Sequence, residues 1–318
     1  MTPTPLGFWI GFNLFVFLML ALDLGVFHRK AHEIPLREAL GWSAIWVSLA
    51  LVFNALVWWW RGHDVALEFL TGYLLEETLS VDNLFVFLLL FRHFRIPAIM
   101  QHRVLFWGIL GALVMRATFI AAGITLINRF QWLIYVLGAF LVYTGIKMAF
   151  GKHNDNPDPS KSLVFRLANK CWRITPDLKG QRFFWRDAAG LFWCTPLFLV
   201  LVLLETTDVV FALDSIPAIL AVTRDPFIVY TSNIFAILGL RAIYFALSGV
   251  MQMFHHLHYA LALILAFVGV KMLLSGYIHI PVQLSLALIA VSLTTAIITS
   301  IKNPLPAEKN SGNRKAGS

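Results

Sequence analysis

Seven carboxylates, Asp23, Glu76, Glu77, Asp82, Glu205, Asp208 and Asp214, lie inside long apolar stretches of this 318-residue chain. Five of them form two constellations, Glu76 with Asp82 and Glu205 with Asp208 and Asp214. An ionised carboxylate at the centre of a bilayer helix costs roughly 2.5–3.5 kcal/mol on insertion scales, so this many acids require a compensating charge. The simplest one is a cation. Asp208 and Asp214 repeat the acid, five-residue gap and acid of Glu76 and Asp82, and a small polar residue follows each second acid, Asn83 or Ser215. Together with Thr78, Thr206 and Thr207 the set offers only oxygen, with no Cys or His at the same depth. Such donors suit hard cations such as Mn, Mg and Ca better than Zn or Cu. The candidate metal ligands are therefore Glu76, Asp82, Asn83, Glu205, Asp208 and Asp214. Set against Arg116, Lys147, Arg241 and Lys271, the seven acids leave an excess of three negative charges, which a divalent ion with exchangeable protons can balance.

The elements that position these acids must be membrane helices. With 59% hydrophobic residues, 13% charged residues, 27 Phe and a mean hydropathy of +0.75, no soluble core could absorb the apolar surface. Nine stretches are long enough to cross a bilayer, near 6–27, 39–60, 65–91, 103–125, 131–150, 190–223, 227–251, 258–275 and 281–301. The chain is expected to be an all-α, multi-pass membrane protein whose transporter domain covers 1–303. The net charge of +8 reports topology and not nucleic acid. Eighteen Lys and Arg, counting Arg103 at a span edge, fall in the loops after odd-numbered spans and in the C-terminal tail, against three on the other side. That bias places the N-terminus outside and the C-terminus in the cytoplasm. Trp58, Trp59 and Trp60 then form an aromatic belt at the outer edge. Cys171 and Cys194 are too few for a disulfide framework and lack metal-ligand spacing.

Spans three to five (about 65–150) and six to eight (about 190–275) read as a repeat. Each has an acidic helix, then a mid-helix arginine, Arg116 or Arg241, then a lysine, Lys147 in Thr144-Gly145-Ile146-Lys147-Met148 or Lys271 in Val268-Gly269-Val270-Lys271-Met272. Units of three spans must be inverted relative to one another, the plan of many secondary transporters. Residues 151–189 are expected to be a cytoplasmic linker with an amphipathic stretch against the headgroups, and 304–318 a disordered cytoplasmic tail. One geometric difficulty remains. Six residues turn a helix by about 600°, so Glu76 and Asp82 point about 120° apart on a straight helix. Either the two acids serve different faces, or the helix unwinds between them; Pro217 favours a break in span six.

Gly72-Tyr73-Leu74-Leu75-Glu76, Val81-Asp82-Asn83, the run Glu205 to Pro217, and Thr231-Ser232-Asn233 leading to Gly239-Leu240-Arg241-Ala242 resemble the TerC/Alx family of bacterial inner-membrane proteins in the LysE transporter superfamily, closest to its Alx branch. The likeness covers residues 1 to about 303. It implies export of Mn2+ as substrate, with the family's acidic residues falling on Glu76, Asp82, Glu205, Asp208 and Asp214, and no permanently bound cofactor. The partners implied are a divalent metal ion, protons and membrane lipid, with no nucleic acid. Glu77 departs from the family pattern, and which of Glu76 and Glu77 faces the ion stays open.

Competing readings attach to several residues. The acids could be structural ion pairs to Arg116 and Arg241, although five acids exceed two arginines. A non-transporting scaffold in a stress-response complex would tolerate loss of the acids. An intramembrane aspartyl protease would need a catalytic pair with a further motif, and none is present, so the chain is not expected to be an enzyme. Asp23 reads as a solvated edge residue. His255, His256 and His258 suit an interfacial or pH-sensitive role better than a metal site.

Overall fold

Among the described residues Leu-, Phe- and Ala-rich runs wind into nine apolar helices, and a tenth short one lies in the longest connection. In chain order they are α1 (Leu6–Leu22), α2 (Leu36–Arg61), α3 (His63–His93), α4 (Ala98–Arg129), α5 (Leu133–Phe150), α6 (Leu163–Cys171), α7 (Pro196–Leu220), α8 (Pro226–Ser248), α9 (Leu257–Leu274) and α10 (Val282–Lys302). A hairpin of β1 (Phe184–Arg186) and β2 (Phe192–Cys194) sits between α6 and α7. The computed structural model describes residues 4–22, 35–150, 163–187, 190–248, 257–278 and 280–302. Asp23, His255, His256, the first part of the linker and the C-terminal tail lie outside the described residues. Seven helices, α2, α4, α5 and α7 to α10, are long and apolar enough to cross a membrane. The described part of α1 is 17 residues long, and α3 carries the acids.

Burial ranks the helices. Within its most apolar stretch α8 is 83% buried, whereas α2 and α10 are each 17% buried and turn their apolar side chains outward, as lipid-facing helices do. As the central helix, α8 packs against α1, α2, α3 and α4. Its buried Thr231 and Ser232 hydroxyls donate to the carbonyls of Phe227 (2.8 Å) and Ile228 (2.7 Å), so neither hydroxyl needs water. Pro226 opens the helix, and Asp225 caps it by accepting from the amides of Phe227 (2.9 Å) and Ile228 (3.2 Å). The other carboxylate oxygen of Asp225 takes Arg61 Nη1 at 2.6 Å, fastening the end of α2 to the start of α8. Around this centre α3 and α4 each pack on both α7 and α8, and α5 lies along α9.

The α5–α9 contact is glycine-made. A Cβ on Gly145 would fall 2.7 Å from the Ala262 carbonyl oxygen and 2.8 Å from the Ala266 amide. One on Gly269 would fall 2.6 Å from the Gly138 carbonyl oxygen and 2.7 Å from the Val142 amide. The two backbones thus approach as closely as small-residue membrane interfaces allow.

Two expectations are corrected. Span six does not begin at 190, because Phe184, Trp185 and Arg186 pair with Cys194, Trp193 and Phe192 in a strand ladder and the helix starts only at Pro196. Nor does it break at its second proline. α7 runs unbroken through Pro217 to Leu220, since the proline sits in the last turn, where little helix remains to disrupt. α3 is likewise continuous past Asp82 and Asn83.

Leucine at Gly145 or Gly269 must push backbone against backbone, at a cost of about 1–3 kcal/mol. Thermal unfolding of the detergent-solubilised protein should show both variants lowered in Tm. Gly7→Leu, where a side chain meets nothing within 4 Å, should match wild type.

Candidate functional site

Arg116 stands in the middle of α4, is 1% exposed, and gathers polar groups from three other helices. It forms an ion pair with Glu76 of α3. Its fork reaches Asp208 of α7 through Nη2 to Oδ1 (3.2 Å) and Nε to Oδ2 (3.5 Å). Nη1 also donates to Asn233 Oδ1 of α8 (2.7 Å) and to Ser215 Oγ of α7 (3.3 Å). A guanidinium presents five donors in a fixed plane, which lets it hold four partners from three helices at once. Glu76, Asp208, Ser215 and Asn233 are all buried.

Glu205 lies one turn before Asp208, within its electrostatic reach. Its carboxylate occupies the space a side chain at Gly111 of α4 would need, so that glycine makes room for the acid. Glu205, Asp208 and Arg241 also line a small cavity of about 20 Å³ walled by Phe87, Leu105, Ala112 and Leu240. That is room for about one water or one small ion.

Unbroken helices decide what happens to the rest. Because six residues carry a helix to about 120° short of two full turns, the first acids of the two motifs, Glu76 and Asp208, meet at Arg116 while the second acids face elsewhere. Asp214 lies beside Thr144 and Lys147 of α5. Asp82 and Asn83 stand about 9 Å further along α3 than Glu76. Among the described residues no three His, Cys, Asp or Glu are close enough to hold a metal ion. Several oxygens nonetheless remain without a hydrogen-bond partner among the described residues: Glu205 Oε2, Asp214 Oδ1 and Asn83 Oδ1, all buried. A buried acceptor left unpaired costs roughly 1–3 kcal/mol, so each is a place where a cation or a proton has something to satisfy.

Glu76 and Glu77 face different neighbours. Glu77 hydrogen-bonds Tyr73 on its own helix and sits against Gly239 of α8, beside Trp46 of α2, away from Arg116. Glu76 faces the cluster. Asn233 was missed by reasoning from acids alone, although three consecutive polar residues, Thr231, Ser232 and Asn233, in an apolar helix were the available signal. Glu68 was also missed. It accepts a hydrogen bond from Thr223 Oγ1 at 2.6 Å and lines a cavity of about 570 Å³ with Asp64, Arg224 and Lys271, at the end of the bundle where α7 stops and α10 begins. Cys171 and Cys194 are both free thiols. The rings of His258 and Tyr259 lie 3.8 Å apart, tilted by 39°, at the start of α9.

The chain is similar in sequence to known membrane proteins. An uncharacterized membrane protein of Myxococcus xanthus, STKORF319, is 53% identical over 295 residues, covering 93% of this chain and 92% of the relative. Proteins provisionally named membrane-bound redox modulator Alx are similar as well. The one from Salmonella typhi is 49% identical over 304 residues (93% of this chain, 94% of the relative), and that from Escherichia coli K12 is 50% identical over 295 residues (90% and 91%). No solved structure matches the chain. The model of the integral membrane protein TerC family matches residues 61–304, which include every residue of the Arg116 cluster. The chain belongs to the TerC family of integral membrane proteins.

Proposed function

We propose that this protein is a divalent-cation transporter of the bacterial inner membrane that exports manganese in exchange for protons. The observation that carries the reading is the convergence of Glu76 and Asp208, equivalent acids of two separate sequence motifs, on one buried arginine. In this reading all nine apolar helices span the membrane, with the N-terminus outside. α3 to α5 and α7 to α9 are the inverted repeats. Exchanging the two sets of three maps their main contacts onto one another, because α3–α8 becomes α7–α4 and α5–α9 maps onto itself. The glycine contacts obey the same exchange: Gly145 against Ala262 and Ala266 becomes Gly269 against Gly138 and Val142 at one constant residue offset.

The guanidinium of Arg116 holds the place of the cargo's charge. Two carboxylates and two neutral oxygens, from Ser215 and Asn233, surround it, and an oxygen-only shell of this kind fits Mn2+ or Mg2+ once the arginine swings aside. Glu205, one turn away, supplies a further carboxylate. Asp82 with Asn83, and Asp214, are steps of the path on either side of the cluster. When the ion leaves, protons taken up by the carboxylates and the returning guanidinium restore neutrality, which couples metal to protons without a stranded charge.

A second reading keeps one observation on its side. Arg116 already satisfies Glu76 and Asp208, and no three acids are grouped among the described residues, as a purely structural ion-pair core in a membrane scaffold would have it. The name of the Alx relatives points to redox chemistry, for which this chain offers the exposed Cys171 and the buried Cys194. Transport separates the readings. Inverted vesicles carrying the wild-type protein should accumulate manganese in proportion to an imposed proton gradient. Asp82→Asn and Asp214→Asn should each lower uptake at least about tenfold at equal protein level, since both retain shape and lose the charge that offsets ion dehydration. Uptake at the wild-type rate in either variant defeats the transport path.

The Arg116 cluster also has a stability signature. Arg116→Gln leaves two buried carboxylates uncompensated and should cost about 3–5 kcal/mol. Adding Glu76→Gln to that variant should recover part of the loss, as a thermal-unfolding double-mutant cycle would read directly.

A further inference from the structure

The linker between α5 and α7 is tied down on one side and bare on the other. Inward, Phe165, Ala168, Ile174, Leu178 and Phe183 join the apolar cluster formed by α3, α4, α7 and α8. Thr195 Oγ1 donates to the carbonyl of Arg182 at 2.7 Å, and the guanidinium of Arg103 on α4 lies 5.2 Å from the Phe183 ring. The chain enters this unit from one apolar helix and leaves it into another, so the unit sits at the membrane surface.

Outward, the strand register sorts its aromatics. Phe184, Arg186 and Phe192 share one face of the hairpin, and Trp185 and Trp193 share the other. On the first face Phe184 stacks on Phe192 (5.3 Å) and meets Phe198 of α7 (4.8 Å), which in turn meets Trp172 at 5.2 Å. Phe184, Phe192 and Trp172 remain 46%, 54% and 41% exposed, so the described residues leave this patch open, and it continues onto the first turn of α7. The second face is already occupied: Lys179 and Arg182 lie over Trp185 at 6.0 and 5.6 Å, and Trp193 donates to Asp187 at 3.0 Å.

Charge then selects the occupant. Six basic residues, Arg166, Lys170, Arg173, Lys179, Arg182 and Arg186, stand against Asp177 and Asp187 in the described linker. Both oxygens of Asp187 are engaged within the hairpin, by the Leu191 amide and by Trp193. Arg186 is exposed on the face of the open aromatic patch, and Arg173, next in the chain to Trp172, is exposed as well. Aromatic side chains that reach the acyl boundary, flanked by exposed arginines, suit the headgroup layer of an anionic leaflet.

We propose that the hairpin and the end of α6 form a docking surface for anionic phospholipid. Phe184, Phe192 and Trp172 insert at the acyl boundary, and Arg173 and Arg186 bind the lipid phosphates. The assignment rests on the membrane location of the chain and is independent of what it transports.

The test titrates the full-length, detergent-purified protein with phosphatidylglycerol or phosphatidylcholine and reads bound lipid by native mass spectrometry. Each arginine near an anionic surface contributes about fivefold in affinity, so Arg173→Gln and Arg186→Gln should each weaken phosphatidylglycerol binding about fivefold and leave phosphatidylcholine unaffected. Both residues are exposed, and unchanged helical circular dichroism confirms that the variants are folded. Phe184→Ser with Phe192→Ser should weaken both lipids. Equal binding of the two lipids to wild type, undiminished phosphatidylglycerol binding in the double arginine variant, or displacement of the lipid by equimolar glycerol phosphate would overturn the proposal.

Discussion

A guanidinium buried among apolar helices is stable only while carboxylates stand beside it, and carboxylates so buried are stable only beside a cation. That mutual requirement at Arg116 draws α3, α4, α7 and α8 to one point. Removing water multiplies every electrostatic term at such a point, favourable or not, so the cluster fixes the arrangement of the four helices more firmly than their non-directional apolar contacts can. The surrounding devices follow from it. Gly111 clears room for the Glu205 carboxylate, and Gly72 lets α3 approach Ile219 and Ser232, where a side chain would fall 2.9 and 3.1 Å away.

Much of this architecture is written in the composition of the chain. Each of the nine apolar stretches holds a helix among the described residues, because within lipid a backbone must satisfy its own hydrogen bonds, although the start of the sixth is a strand. The matched spacing of Glu76 with Asp82 and Asp208 with Asp214 pointed to equivalent elements, and the angle that spacing imposes on a straight helix anticipated that the acids of one motif would part. What the residues alone did not settle was whether the helix would stay straight. Pro217 reads as a break when the position of the helix end is unknown, and as harmless once α7 is seen to stop at Leu220.

The misses have a common cause. Asn233, Gly111 and the Asp225 cap matter through partners far away in sequence, Arg116, Glu205 and Arg61, and no local pattern names those partners. The hairpin of Phe184–Arg186 and Phe192–Cys194 is apolar enough to blend into the helix that follows it. Its signal was the turn chemistry between the strands, where Asp187 accepts from the Leu191 amide at 2.9 Å and Gly190 adopts φ +79. In a chain this apolar, hydropathy locates the membrane helices well and says little about which polar residues meet.

In the proposed mechanism the carboxylates around Arg116 exchange their arginine for a transported divalent ion. The most direct measurement is electron paramagnetic resonance of Mn2+ titrated into the purified protein, which reads the free hydrated ion. The account predicts that the protein withdraws Mn2+ from solution up to equimolar metal, that Asp208→Asn abolishes this, and that His258→Ala leaves it intact. A free-ion signal undiminished by the wild-type protein, or an equal bound fraction in Asp208→Asn, would contradict it.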